Sequence, residues 1–204
     1  MRSDPTSGSD EELLRRTEAG DEEAFVELYR RRQVEIYRFA WHMSGSRTVA
    51  EEVTQEVFLI LVRGKAKYER SRGTVAAFLF GAARNHVLRC LERDGKYAAG
   101  NMTGYGTGDE GGAAGPELVS ADNPLGELVR NETIEAVRRA VLALPAAYRE
   151  AVVLCDLSEM SYAEAARAMG CPEGTVRSRL HRARALLAER LRELGQTKVS
   201  RCAV

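Results

Sequence analysis

CPEGTVRSRLHRARALL, residues 171–187, decides how this chain folds. Val176, Leu180, Ala183 and Leu187 fall four, three and four apart, which lines them along one side of a helix, while Arg177, Ser178, His181 and Arg182 lie beside or opposite that stripe. Pro172 suits the first helical position, where a missing amide hydrogen costs nothing, and Glu173 sits at the positive end of the helix dipole. Upstream, Ser161 caps a short helix with Glu164 as its capping-box partner, and AEAARAM carries that helix to Gly170, a helix stop. Two helices across a three-residue turn read as a helix-turn-helix. Its second helix lies in the major groove, where an arginine fork grips guanine and serine or histidine reaches other base edges. A basic amphipath alone would be an ordinary solvated helix; cap, glycine stop, proline start and stripe together favour DNA.

The rest of the chain is also helical in pattern. Helical periodicity runs through residues 10–94 with turn signals at Gly20, Ser44 to Ser46 and Gly64 to Gly73, and it resumes at about Pro124 and continues to Leu194. The apolar run Val57 to Val62 continues a helical stripe, so no strand is expected. Residues 95–123 are glycine-rich and almost without large apolar groups, so they cannot bury enough surface to fold alone. The expected organisation is all-α: a disordered N-terminus at 1–9, a small helical domain at 10–94, a flexible linker at 95–123, a second helical domain at 124–195 and a polar tail at 196–204.

Charge is informative only locally. The 30 basic and 30 acidic residues cancel. Yet residues 173–193 carry six arginines against three glutamates, whereas residues 94–135 carry eight acidic groups against Lys96 and Arg130. Cys90, Cys155, Cys171 and Cys202 lack zinc-like spacing, no apolar run spans a bilayer and the N-terminus is not a signal peptide, which together imply the cytoplasm. His86 and Cys90 are four apart but have no third ligand, so they are ordinary helix residues and no metal or cofactor is expected.

LPAAYREAVVLCDLSEMSYAEAARAMGCPEGTVRSRLHRAR, residues 144–184, resembles region 4 of the sigma-70 family in its small extracytoplasmic-function (ECF) branch. That resemblance implies a minus-35 DNA surface made of Arg149, Ser161, Tyr162, Thr175, Arg177, Ser178, Arg179, His181, Arg182 and Arg184. Arg177, Ser178, His181 and Arg182 would read bases; Arg149, Arg179 and Arg184 would hold phosphates.

The first domain resembles region 2 of the same family. AEEVTQEVFL, residues 50–59, matches the segment that docks on core RNA polymerase, and FLFGAARNHVLRCLER, residues 78–93, resembles the helix that melts and holds the minus-10 element. Glu52, Gln55 and Glu56 share one helical face with Glu51 at its edge, opposite Val49, Val53 and Ile60, and an acidic face suits a basic partner. For the minus-10 element, Tyr68, Arg70, Ser71 and Arg72, then Arg84, Asn85, His86 and Arg89, supply the aromatic, polar and cationic groups that opened strands need. The chain departs from the family pattern at Phe78, Gly81 and Arg89, which leaves its minus-10 preference open. Phe39 and Trp41 continue the apolar pattern and read as core or interface packing.

The resemblance implies a promoter-specificity subunit whose partners are core RNA polymerase, through the beta-prime clamp helices and the beta subunit, promoter DNA and an anti-sigma factor, with no small-molecule substrate. A stand-alone helix-turn-helix regulator with an N-terminal sensor or dimerisation domain remains the alternative. An enzyme has little support, because no phosphate-cradling glycine loop, nucleophile elbow or metal triad is present.

Overall fold

Each of the first four helices begins on a side-chain oxygen. Ser9 accepts from the Glu12 amide at the start of α1 (Asp10–Glu18), and Asp21 accepts from Ala24 to start α2 (Glu22–Ser44). Ser46 accepts from Val49 at α3 (Arg47–Val62), and Thr74 from Ala77 at α4 (Val75–Arg93). These oxygens satisfy amides that have no partner inside the helix. Gly45 ends α2 in the left-handed conformation at φ 73°. The structure is a computed structural model and describes residues 8–64, 68–93 and 124–201; the linker expected at 95–123 and most of the N-terminus lie outside the described residues.

In the first domain α2 packs against α1, α3 and α4. Its core is Leu28, Ile36, Phe39 and Met43 of α2, Val53, Val57 and Phe58 of α3, and Leu79, Phe80 and Val87 of α4, with Phe39 and Phe80 edge to face at 5.5 Å. In the second domain α5 (Pro124–Leu142) and α6 (Ala146–Val152) pack on one another and on the long α8 (Glu173–Arg201). A π-helical turn (Val153–Leu157) follows α6, and α7 (Tyr162–Met169) precedes α8. Val141, Leu144, Val153, Leu154, Ala165, Met169, Val176, Leu180 and Ala183 form its core. No strand is present among the described residues, so the all-α expectation holds.

The two domains touch. α7 lies on α4, and α5 and α6 reach α2, so the two cores form one continuous apolar cluster. Gly81 of α4 faces the Ala168 backbone of α7, where a Cβ would be in ordinary contact at 3.6 Å from the carbonyl oxygen, and Gly73, at φ 132°, lies against the Arg167 side chain.

Two expected boundaries shift. Ser9 caps α1 and the Gly8 carbonyl accepts from Arg31, so order begins before residue 10. The tail expected at 196–204 is helical as far as Arg201. Gly195 weakens a helix by about 1 kcal/mol relative to alanine, yet α8 continues through it.

Candidate nucleic-acid interface

The helix-turn-helix forms as its local chemistry dictates. Ser161 accepts from the Glu164 amide at 3.3 Å, and the Glu164 carboxylate accepts from the Ser161 amide at 3.2 Å, a complete capping box. The serine hydroxyl also donates to that carboxylate at 2.7 Å, and these bonds hold the Glu164 carboxyl below its usual range. Gly170 turns the chain left-handed at φ 63° after α7, and the Cys171 amide closes back on the Ala166 carbonyl at 3.0 Å. The Pro172 carbonyl then accepts from Thr175 and Val176, so α8 starts one residue after the proline. Val176, Leu180 and Ala183 are buried and Leu187 is half-buried, which seats the helix.

On the outer side Arg177, Ser178, His181, Arg182 and Arg184 are exposed, with Arg179 and Thr175 half-buried at the margin. The Arg177 guanidinium lies over the Tyr162 ring, 5.6 Å from its centroid, which limits the orientations of an otherwise mobile fork. Ser178 donates to the Thr175 carbonyl. Arg184 grips Asp156 with two hydrogen bonds of 2.6 and 3.1 Å, and this pairing raises the arginine above its ordinary pKa. Ser161 is exposed and engaged in the capping box that fixes the start of α7.

Arg149 corrects the sequence reading. Expected to hold phosphates, it is instead drawn inward, where its Nη1 donates to the Met43 carbonyl and its Nη2 to the carbonyls of Leu142 and Leu144. Helix ends present carbonyls with no partner in their own helix, and one guanidinium here serves the ends of α2 and α5 together. Burial lowers its pKa to about 10. The neighbouring Glu150, given no site role from sequence, is 2% exposed and pairs with Arg84 Nε at 3.0 Å. Burial raises the Glu150 carboxyl, against the pull of Arg84, Arg179 and Arg149.

The expected minus-10 residues do not all meet. Tyr68 is packed edge to face on Phe78, and its hydroxyl donates to the Gly73 carbonyl at 2.8 Å or to Glu11 at 3.3 Å. Arg70 pairs with Glu11 at 3.1 Å, and Ser71 is exposed beside it in a 3-10 turn (Arg70–Arg72). Asn85 and Arg89 are exposed one turn apart on α4. His86 is half-buried, and burial and Arg89 lower its pKa against the opposing charges of Glu56 and Glu52. Arg84 points into the second domain.

Glu51, Glu52 and Gln55 are exposed and Glu56 is half-buried, while Val49 and Val53 face the core, so the acidic face exists. Glu52 is bridged by Arg93 with two bonds of 3.3 Å. Trp41 packs at the domain boundary with the Arg138 guanidinium 5.2 Å from its ring, and Phe39 is fully buried. No cluster of three or more potential metal ligands occurs among the described residues.

Comparison with known proteins agrees with this geometry. Residues 28–97 match the family model of sigma-70 region 2, and residues 134–187 match that of sigma-70 region 4. The chain is 33% identical over 184 residues to the ECF RNA polymerase sigma factor SigM of Mycobacterium tuberculosis, covering 90% of this chain and 85% of that one. It is 32% identical to SigE of Mycolicibacterium smegmatis over 81% of this chain, but spans only 60% of that relative's length. Among solved structures, CnrH in complex with the cytosolic domain of CnrY superposes with a TM-score of 0.66 over 91% of this chain and 99% of CnrH, at 23% identity. RpoE of Bartonella quintana, in complex with the anti-sigma factor NepR, superposes with a TM-score of 0.58 at 24% identity over 78% of this chain and 91% of RpoE. A capped helix-turn-helix with an outward arginine face, joined to a region 2 helical bundle, thus belongs with these relatives: the chain is a member of the sigma-70 family, in its extracytoplasmic-function branch.

Proposed function

We propose that this sigma factor reads the minus-35 duplex through Arg177, Ser178, His181 and Arg182 of α8, with Arg179, Arg184, Thr175, Tyr162 and Ser161 supporting the backbone contacts. The observation that carries this reading is the division of α8 into a buried Val176–Leu180–Ala183 stripe and an exposed cationic side. The first domain docks on core polymerase through Glu51, Glu52, Gln55 and Glu56, because an acidic face attracts a basic partner. Tyr68, Arg70, Ser71, Arg72, Arg84, Asn85, His86 and Arg89 then serve the opened minus-10 strand.

A regulatory partner follows by analogy with the relatives: an anti-sigma factor would bind this chain in the cytoplasm. No helix among the described residues is long and apolar enough to cross a membrane. Reconstitution with core RNA polymerase, followed by sequencing of transcript 5′ ends, tests the reading. Start sites that share two upstream motifs are expected. Tight, specific promoter binding without polymerase, and no initiation with it, would instead favour a stand-alone regulator.

A further inference from the structure

Three acids open α1, and each is taken up differently. Asp10 is drawn to α2, where its carboxylate accepts from Arg32 at 2.6 Å and from Arg31 at 3.5 Å. Glu12 pairs with Arg15 one turn along its own helix. Glu11, between them, reaches the turn that carries two of the minus-10 candidates: its Oε2 lies 3.1 Å from Nε of Arg70, and its Oε1 lies 3.3 Å from the Tyr68 hydroxyl. Because Asp10 anchors α1 on α2, the next carboxylate is presented from a fixed support.

The two contacts do different work. Tyr68 is fixed without Glu11, since its ring packs on Phe78 and its hydroxyl has the shorter bond, 2.8 Å, to the Gly73 carbonyl. Burial first, and then the Glu11 charge, push that hydroxyl above its ordinary pKa, so it remains a donor. Arg70 differs: its side chain is 84% exposed, and the Glu11 carboxylate is what gives it a direction. An ion pair this exposed adds little to stability. What it decides is where the cation points and what else that cation can hold.

We propose that Glu11 is a specificity-determining positioning residue of the minus-10 surface, which aims Arg70 beside Tyr68 and withholds its charge from the phosphates of ill-fitting strands. The inference rests on the minus-10 role given to Tyr68 and Arg70 above. Strands of every sequence carry the same phosphates, so a free cation strengthens binding to all of them alike. A cation neutralised by a carboxylate adds less to that uniform attraction. It contributes where the opened strand is seated well enough to share or displace the carboxylate, and an acid that disfavours the other strands widens the difference between them.

The test uses holoenzyme reconstituted from core RNA polymerase and the full chain, on promoters randomised at the minus-10 element. Glu11→Gln keeps the length of the side chain and an acceptor for Tyr68, but removes the charge that holds Arg70. It should bring initiation from the weakest templates about threefold or more closer to that from the best. On a forked DNA carrying the best-selected minus-10 sequence, it should steepen the salt dependence by up to about 0.7 log unit in affinity per log unit of salt, the value for one phosphate of a single strand. The minus-35 preference and the urea midpoint should stay as in the parent. Glu12→Gln, which removes the same charge one residue along, should match the parent throughout. A parental minus-10 profile for Glu11→Gln, or an equal shift in Glu12→Gln, overturns the inference.

Arg70→Ala separates the role of Glu11 from the role of the surface it serves. Glu11 acts through Arg70, so in an Arg70→Ala background Glu11→Gln should change nothing further. A shift there as large as in the parent background would mean that Glu11 acts by its own charge, and the positioning role is lost. If Arg70→Ala alone keeps the parental minus-10 profile, the minus-10 assignment of Arg70 falls and this inference with it. If Arg70→Ala alters the profile and Glu11→Gln does not, the inference alone falls.

Discussion

Arg84 and Glu150, 66 residues apart in sequence, meet with their charged groups 3.0 Å apart, the carboxylate sealed from water and the guanidinium partly so. Glu150 is surrounded by Arg84, Arg149 and Arg179, yet burial still raises its carboxyl. Desolvation therefore outweighs the attraction of three cations, and the pair is sensitive to the loss of either member.

Arg84→Ala should lower stability by about 3 kcal/mol, because a buried carboxylate loses its hydrogen-bonded partner. Replacing both members, as Arg84→Met with Glu150→Leu, should recover most of that loss. Urea unfolding of the full chain checks both; a single-variant loss below about 1 kcal/mol would mean that water replaces the guanidinium.

Ser161→Ala should cost about 1 kcal/mol, the ordinary value of a serine cap, and should loosen the start of α7. Hydrogen exchange at the Glu164 amide reads this directly. Protection equal to that of the parent would show that the cap is dispensable.

At the DNA surface, Arg177→Ala and Arg182→Ala should each weaken minus-35 binding by about 1 to 3 kcal/mol and relax one base position. Arg179→Ala should weaken all sequences alike and reduce the salt dependence. Arg149→Ala should act through stability, not through DNA. Selection of minus-35 variants with each mutant holoenzyme separates these outcomes, and an unchanged base preference for Arg177→Ala and Arg182→Ala would remove them from readout.

Reversing charge with Glu52→Lys and Glu56→Lys should weaken association with core polymerase without unfolding the chain, since Val49 and Val53 stay buried. Glu52 also loses its Arg93 bridge, an exposed pair worth at most about 1 kcal/mol. Equal polymerase affinity in a folded variant would place docking elsewhere.

Acidification should destabilise the fold through its histidines. Burial lowers the pKa of His42, as do Arg138 and Arg38; burial and Arg89 lower that of His86, against the opposing effect of Glu56 and Glu52. A lowered folded value means that the unfolded chain binds the proton more readily. The contribution is thus fully present above the ordinary value of 6.5 and is lost as pH falls through the depressed values. Glu150, raised by burial, contributes with the opposite sign, so the comparison is between parent and His42→Asn. The parent's urea midpoint should fall more steeply between about pH 7 and about pH 5.5. Parallel curves would exclude His42.

What could be read from sequence was whatever the chain settles locally. The Ser161–Glu164 box, the Gly170 stop, the Val176–Leu180–Ala183 stripe and the acidic face on α3 depend on neighbours within one or two turns, and all four stand in the structure. Arg149 was misplaced because its partners, the ends of α2 and α5, are brought to it by tertiary packing. Glu150 was given no site role for the same reason: an acid in a helix looks solvated until another domain covers it. The minus-10 candidates form one cluster in sequence but diverge in space, since Arg84 is taken up by Glu150 of the second domain while Asn85 and Arg89 stay exposed.

Glu164 serves as a fastening in two places at once, closing the capping box of α7 and accepting from the Thr74 hydroxyl that starts α4. These ties differ in what domain separation does to them. Parting the domains breaks only the bond to Thr74, and that hydroxyl still holds the Ala77 amide at 3.2 Å. The three bonds between Ser161 and Glu164 lie within one turn of one chain and travel with it. The helix-turn-helix therefore carries its own start and stop for α7, Ser161 at one end and Gly170 at the other, and neither depends on the bond to α4.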